Sequence, residues 1–169
     1  MPVLLRILAI IFLKAGPQHM PYSPSLLATL TSFYLLSGVL VLTTAMDMIH
    51  AIANMLLDVV VLFAFCYLCL SLLKLKARFV QMVSALAGIG IVYHVLAWPL
   101  FMQIHGMQVQ EQGVKIAALL MLLIISWQVL VFAHVFRYAM RLSMTRALAL
   151  SFGYLFLSMA AAEIIFPGN

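Results

Sequence analysis

Apolar residues run almost unbroken from Ser25 toward the C-terminal end, interrupted only by short polar joints. Five runs stand out: Ser25–Ala45, Ala51–Leu73, Phe79–Gln103, Val114–Phe136 and Arg146–Ile165. A hydrocarbon core about 30 Å thick takes roughly 20 helical residues to cross, and each run has about that length. The pattern therefore predicts an all-α integral membrane protein, a five-transmembrane-helix bundle. Pro2–Leu13 is apolar too, but it is short and is flanked by Arg6 and Lys14. It reads as a short interfacial or re-entrant N-terminal helix, stopped by Gly16-Pro17 and followed by Pro21 and Pro24. Residues 1–24 thus form an entry helix with a proline-rich linker, and residues 25–169 the transmembrane domain.

Composition sharpens this picture. Hydrophobic residues make up 67% of the chain and charged residues 8%, with a mean hydropathy of +1.21, well outside the range of soluble domains. The basic and apolar start resembles a signal peptide, but Ala15-Gly16-Pro17 is a poor cleavage site because of its proline, so the N-terminal segment is expected to be retained.

The few charges are distributed unevenly. Arg6, Lys14, Lys74, Lys76, Arg78, Arg137, Arg141 and Arg146, eight of the nine Lys and Arg residues, fall on one side of the predicted bundle, and Lys115 falls on the other. The positive-inside rule makes the basic side cytoplasmic. The N-terminus is therefore expected to be cytoplasmic and the C-terminus outside. Asp47, Glu111 and Glu163 lie at the outer ends, leaving Asp58 alone inside a span. The net charge of +5 is topogenic and lipid-facing, with no basic domain suited to nucleic acid. The longest joint, Ile104–Gly113, is too short to fold as a domain. The odd number of spans argues against a simple inverted repeat.

The richest chemistry lies in the second span. Asp47, His50, Asn54 and Asp58 are spaced by three, four and four residues and share one helical face. An aspartate at the centre of a span costs about 2.5–3.5 kcal/mol on insertion scales, so Asp58 is expected to face the bundle interior and to have a partner. His94, at a matching depth in the third span, is the expected one. The group reads either as a proton or ion pathway, with His50, His105, Glu111 and Glu163 as outer contributors, or as polar bonds that lock the bundle while Asp47 caps its helix.

A metal is not expected, since His50 and Asn54 lack the i, i+4 histidine pattern. Haem is not expected either, because His50, His94 and His134 sit at different depths, so no cofactor is assigned. Cys66-Tyr67-Leu68-Cys69 is formally a C-x-x-C, but its apolar surroundings suppress thiolate and make packing the better reading. Pro99 should kink or end the regular part of its span, and Ser84 with Gly88 forms a small-xxx-small pair for close helix approach. Ser126, Ser151 and Ser158 are expected to bond back to their own helix carbonyls.

At the cytoplasmic surface, Lys74, Lys76, Arg78, Arg137, Arg141 and Arg146, with His134 and Tyr138 nearby, are candidates for contacting anionic lipid headgroups or an acidic partner. Plain topology and snorkelling would also place them there. No catalytic motif is present, and no catalytic residue is assigned.

The segment Lys14-Ala15-Gly16-Pro17-Gln18-His19-Met20-Pro21-Tyr22-Ser23 and the five-span layout resemble small bacterial inner-membrane proteins and, more distantly, Yip1-like five-span proteins. The chain lacks the Asp-Leu-Tyr-Gly-Pro signature and long cytoplasmic arm of eukaryotic members, so the resemblance transfers no functional residue. The expected function is that of a non-enzymatic accessory, scaffold or assembly component in contact with lipid and with a membrane-protein partner or further copies of itself. The alternative is a small proton- or ion-coupled transporter built on Asp58 and His94.

Overall fold

The computed structural model describes residues 2–105 and 111–166, including all side chains in those ranges except those of Glu111 and Gln112. Most of the outer joint, and the side chain of Glu111 as an outer contributor, lie outside the described residues. Among the described residues six α-helices form: α1 (Val3–Ile11), α2 (Pro24–Leu42), α3 (Met48–Leu72), α4 (Phe79–His105), α5 (Glu111–Met140) and α6 (Met144–Ile165). The last five are long and apolar enough to cross a membrane, so the protein is an all-helical, multi-pass membrane protein.

Local chemistry explains where these helices begin and end. Ser23 caps α2 by accepting from the Leu26 amide, with Pro24 in the first turn where its missing N–H is harmless. Asp47 caps α3 by accepting from the Ile49 and His50 amides, as its position predicts. Three helices end at non-glycine residues with positive φ: Leu13 at 59°, Lys74 at 59° and Arg141 at 56°. The amides that follow Lys74 and Arg141 close back on Leu70 and Arg137 carbonyls, which offsets the left-handed cost of about 1–2 kcal/mol. Helix α4 continues through Pro99 to His105 rather than ending there.

Helix α4 is the axis of the bundle. Every residue from Met82 to Gly90 is buried, whereas a peripheral helix would show one exposed stripe. Small side chains make this possible, because Ser84, Ala85, Ala87, Gly88 and Gly90 let neighbours approach from several sides. A Cβ at Gly90 would lie only 2.2 Å from Tyr34 Cε2 of α2, and one at Gly88 would strike Ile7 of α1. Arg78 ties the start of α4 to the end of α5 by donating to the Tyr138 and Ala139 carbonyls at 3.1 and 2.8 Å. Ser151 of α6 donates to the Val129 carbonyl of α5 at 2.8 Å. It therefore joins two helices and does not bond back to its own.

Helix α1 is built into this core. Ile7, Ile10 and Ile11, spaced by three and one, are buried, while Leu4, Leu5 and Phe12 remain exposed. The linker behind it is fastened at several points: Arg6 donates to the His19 carbonyl at 2.6 Å, Gln81 donates to the Met20 carbonyl at 2.8 Å, and His134 bonds the Ala15 carbonyl at 3.0 Å. His134 is thereby buried against the linker and is not part of a headgroup-facing surface. One face of α1 is therefore packed on the bundle while the opposite face, with Leu4, Leu5 and Phe12, remains outside it. Gly88→Val should displace Ile7 and loosen the whole segment, seen as faster tryptic cleavage after the exposed Lys14 in detergent-purified protein.

Candidate functional site

Asp58 projects from α3 into a ring of hydroxyl groups. Its Oδ2 accepts from Tyr34 of α2 at 2.5 Å. Its Oδ1 accepts from Tyr154 and Ser158 of α6, at 3.0 and 2.6 Å. Three donors from two neighbouring helices satisfy the carboxylate, as an acceptor-only group removed from water requires. Ser158 is thus a ligand of Asp58 and does not bond back along its own helix; only Ser126, which donates to the Leu122 carbonyl, behaves as predicted for the three serines.

His94 does not hydrogen-bond Asp58, which corrects the pairing expected from depth alone. Its Nδ1 lies 2.9 Å from Ser37 Oγ, and its ring stacks on Tyr34 with centroids 4.9 Å apart and planes at 22°. Tyr34 therefore stands between the two groups. Ser37 Oγ also lies 3.1 Å from the Tyr34 carbonyl, so one hydroxyl links α2 to the His94 ring.

Asp58, His94, Asn54 and Tyr34 line a cleft of about 310 Å³ together with Gln128 and Ser158. All five long helices contribute to its walls. A second cavity of about 220 Å³ adjoins it, sharing His94, Gln128 and Met55 and adding Tyr93, whose buried hydroxyl has no hydrogen-bond partner. Toward the basic end the bundle is filled: Phe65, Phe132, Phe136 and Tyr154 stack with centroids 5.7–6.4 Å apart. This aromatic packing closes the Asp58 cleft on that side.

The predicted polar stripe exists, but it is not a connected path. Asn54 donates to the His50 carbonyl of its own helix at 3.0 Å and to Met46 Sδ at 3.8 Å. His50 pairs with Asp47 at the exposed end of α3, away from the cleft. That hydrogen bond, with further help from the His50 and Ile49 amides, holds the Asp47 carboxyl below the ordinary aspartate range. Glu163 is exposed near the end of α6, and His105 is exposed and stacked on Phe101. Neither lines the cleft. Cys66 is buried and Cys69 half-buried, and the two are unbridged. Among the described residues no three His, Cys, Asp or Glu side chains gather into a metal-binding group.

Tyr34, Ser37, Gln128, Tyr154 and Ser158 are the members of this site that periodicity within single helices misses. The signal they do carry is that each is a polar atom inside an apolar span, where an unpaired group is expensive.

Compared with protein-family models, curated proteins and solved structures, the chain matches none of them, so the site is read from its own geometry.

Proposed function

We propose that this protein is a non-enzymatic accessory or assembly component of the bacterial inner membrane that works through its helix faces and lipid contacts. The observation that carries the reading is the saturation of Asp58. Both carboxylate oxygens are occupied by hydroxyls from α2 and α6, which is the geometry of a clasp that fixes the arrangement of the spans. The packed aromatic cluster toward the basic end supports the same reading, since it closes the bundle beneath the clasp. With the spans fixed, the outer faces form a rigid surface. Phe33, Leu36 and Leu40 of α2 and Leu56 and Val60 of α3 are exposed there.

A second reading has an observation of its own. The cleft beside Asp58 is large enough for several waters and places an imidazole near a carboxyl group, as a proton- or ion-coupled carrier would need. Proteoliposomes containing a pH-sensitive dye separate the two. The accessory reading expects no proton or cation flux above empty vesicles, and photo-crosslinkers placed at Leu36 or Leu56 in native membranes should give a discrete protein adduct. A flux abolished by Asp58→Asn in protein that remains folded would overturn the first reading in favour of the second.

The proposed orientation, with a cytoplasmic N-terminus and a periplasmic C-terminus, rests on the basic end formed by Arg6, Lys14, Lys74, Lys76, Arg78, Arg137, Arg141 and Arg146. A reporter active only in the cytoplasm should function when fused after Lys76 and fail after Asn169. Activity at both positions would mean that one crossing is wrong.

A further inference from the structure

A cavity of about 420 Å³ opens at the basic end, where the linker after α1, the start of α4 and the end of α5 meet. Its walls include Pro17, Gln18, Arg78, Gln81, Tyr138 and Arg141. The linker forms one rim because the Gln81 amide holds the Met20 carbonyl at 2.8 Å and the Gln18 carbonyl at 3.4 Å. Arg78 and Arg141 are far apart in sequence, and the packing of α4 on α5 brings both to this space.

Charge makes the cavity informative. The chain has four acidic residues, Asp47, Asp58, Glu111 and Glu163. Asp47 caps the far end of α3, Asp58 lies in the hydroxyl ring, Glu111 starts α5 at the end opposite Met140, and Glu163 lies in the last turn of α6. None of these positions is at the basic end, and among the described residues neither guanidinium group is paired with a carboxylate. Arg78 uses Nη1 for the Tyr138 and Ala139 carbonyls, which leaves its Nε and Nη2 hydrogens to donate elsewhere. Arg141 is exposed and is turned out of α5 by its positive φ. Two planar forks converging on one cavity suit the oxygens of a phosphate group.

The other basic residues are placed differently. Lys76 lies over the Tyr67 ring at 5.2 Å, and Arg137 lies beside the Tyr138 ring at 5.6 Å. Arg146 borders a separate, mostly apolar groove between α3 and α6.

We propose that this cavity binds the phosphate of an anionic phospholipid headgroup through Arg78 and Arg141. The level of the cavity supports a lipid as the source of the phosphate: it sits at the basic terminus of the bundle, where the five apolar spans would place it among headgroups. The site is independent of the Asp58 cleft and of the reading given to it.

The test uses the full-length protein in detergent and measures lipid retention by native mass spectrometry. Phosphatidylglycerol, phosphatidylcholine and inorganic phosphate are offered separately and in competition. Phosphatidylglycerol should be retained and phosphatidylcholine lost, and Arg141→Gln should weaken phosphatidylglycerol binding about fivefold. Lys74→Gln combined with Lys76→Gln, which removes more charge outside the cavity, should change it less. Because Arg78→Gln also strips carbonyl partners from the end of α5, Arg141→Gln is the deciding variant. Undiminished binding in Arg141→Gln, equal loss in the double lysine variant, or complete displacement of the lipid by inorganic phosphate would overturn the proposal.

Discussion

Replacing Asp58 with leucine is expected to lower stability in detergent by about 2–5 kcal/mol, because it removes three interhelical hydrogen bonds at once. Such bonds average about 0.6 kcal/mol in membrane proteins and reach about 1.7. The Asp58 bonds belong toward the upper end of that range, since one carboxyl group collects three hydroxyl donors at 2.5–3.0 Å. Part of the loss falls on the groups left behind, because Tyr34, Tyr154 and Ser158 would then carry hydroxyls with no acceptor in an apolar setting.

That asymmetry gives the decisive measurement, a double-mutant cycle followed by thermal unfolding. Asp58→Leu with Tyr34→Phe should cost about 1 kcal/mol less than the sum of the single changes, and Asp58→Leu with Tyr154→Phe should behave the same way. A cycle between Asp58→Leu and His94→Leu should show weaker coupling, because Tyr34 separates the two side chains. Strong Asp58–His94 coupling with additive tyrosine effects would refute the hydroxyl ring.

The second large effect is expected at Gly90. A Cβ there would press on the edge of the Tyr34 ring, 2.2 Å from Cε2, and Tyr34 is held on its other sides by Asp58 and His94. Gly90→Ala should therefore cost about 1–3 kcal/mol through overpacking, and Gly90→Leu should prevent α2 from seating on α4. Gly153 is the internal control. It is exposed on α6 with nothing within 4 Å of an added Cβ. Gly153→Ala should be neutral or stabilising by up to about 1 kcal/mol, because alanine is the better helix former. Thermal unfolding of the three variants in one detergent tests this, and a Gly90→Ala protein as stable as the parent would mean that α2 and α4 are not in close contact.

The two predictions converge on Tyr34. Its hydroxyl holds Asp58, its ring stacks on His94, and its edge fits the gap at Gly90. A change at any of the three positions therefore acts first on Tyr34, which couples the packing of the central helix to the geometry of the polar cleft.

Residue pattern alone determined the number of long helices, the cap at Asp47 and the separation of basic from acidic positions. Each of these depends on local spacing or on the cost of placing charge in hydrocarbon, and neither needs knowledge of neighbours. Asp58 was legible as a partnered residue for the same reason: a lone carboxylate inside a span is expensive wherever it lies. Its partners were not legible. Depth along the bilayer is one coordinate, and it placed His94 level with Asp58. Rotation about each helix axis and the order of helices around α4 decide which side chains meet, and these follow from packing. Gly90 lets Tyr34 come between Asp58 and His94, while α6 lies against α3 and supplies Tyr154 and Ser158. Tertiary structure likewise decided that α1 is seated on Gly88, that His134 closes on the Ala15 carbonyl, and that Arg78 and Arg141 share a cavity. In each case the contact joins residues distant in sequence, and its free energy arises from shape and polar satisfaction between helices, to which the periodicity of a single helix is blind.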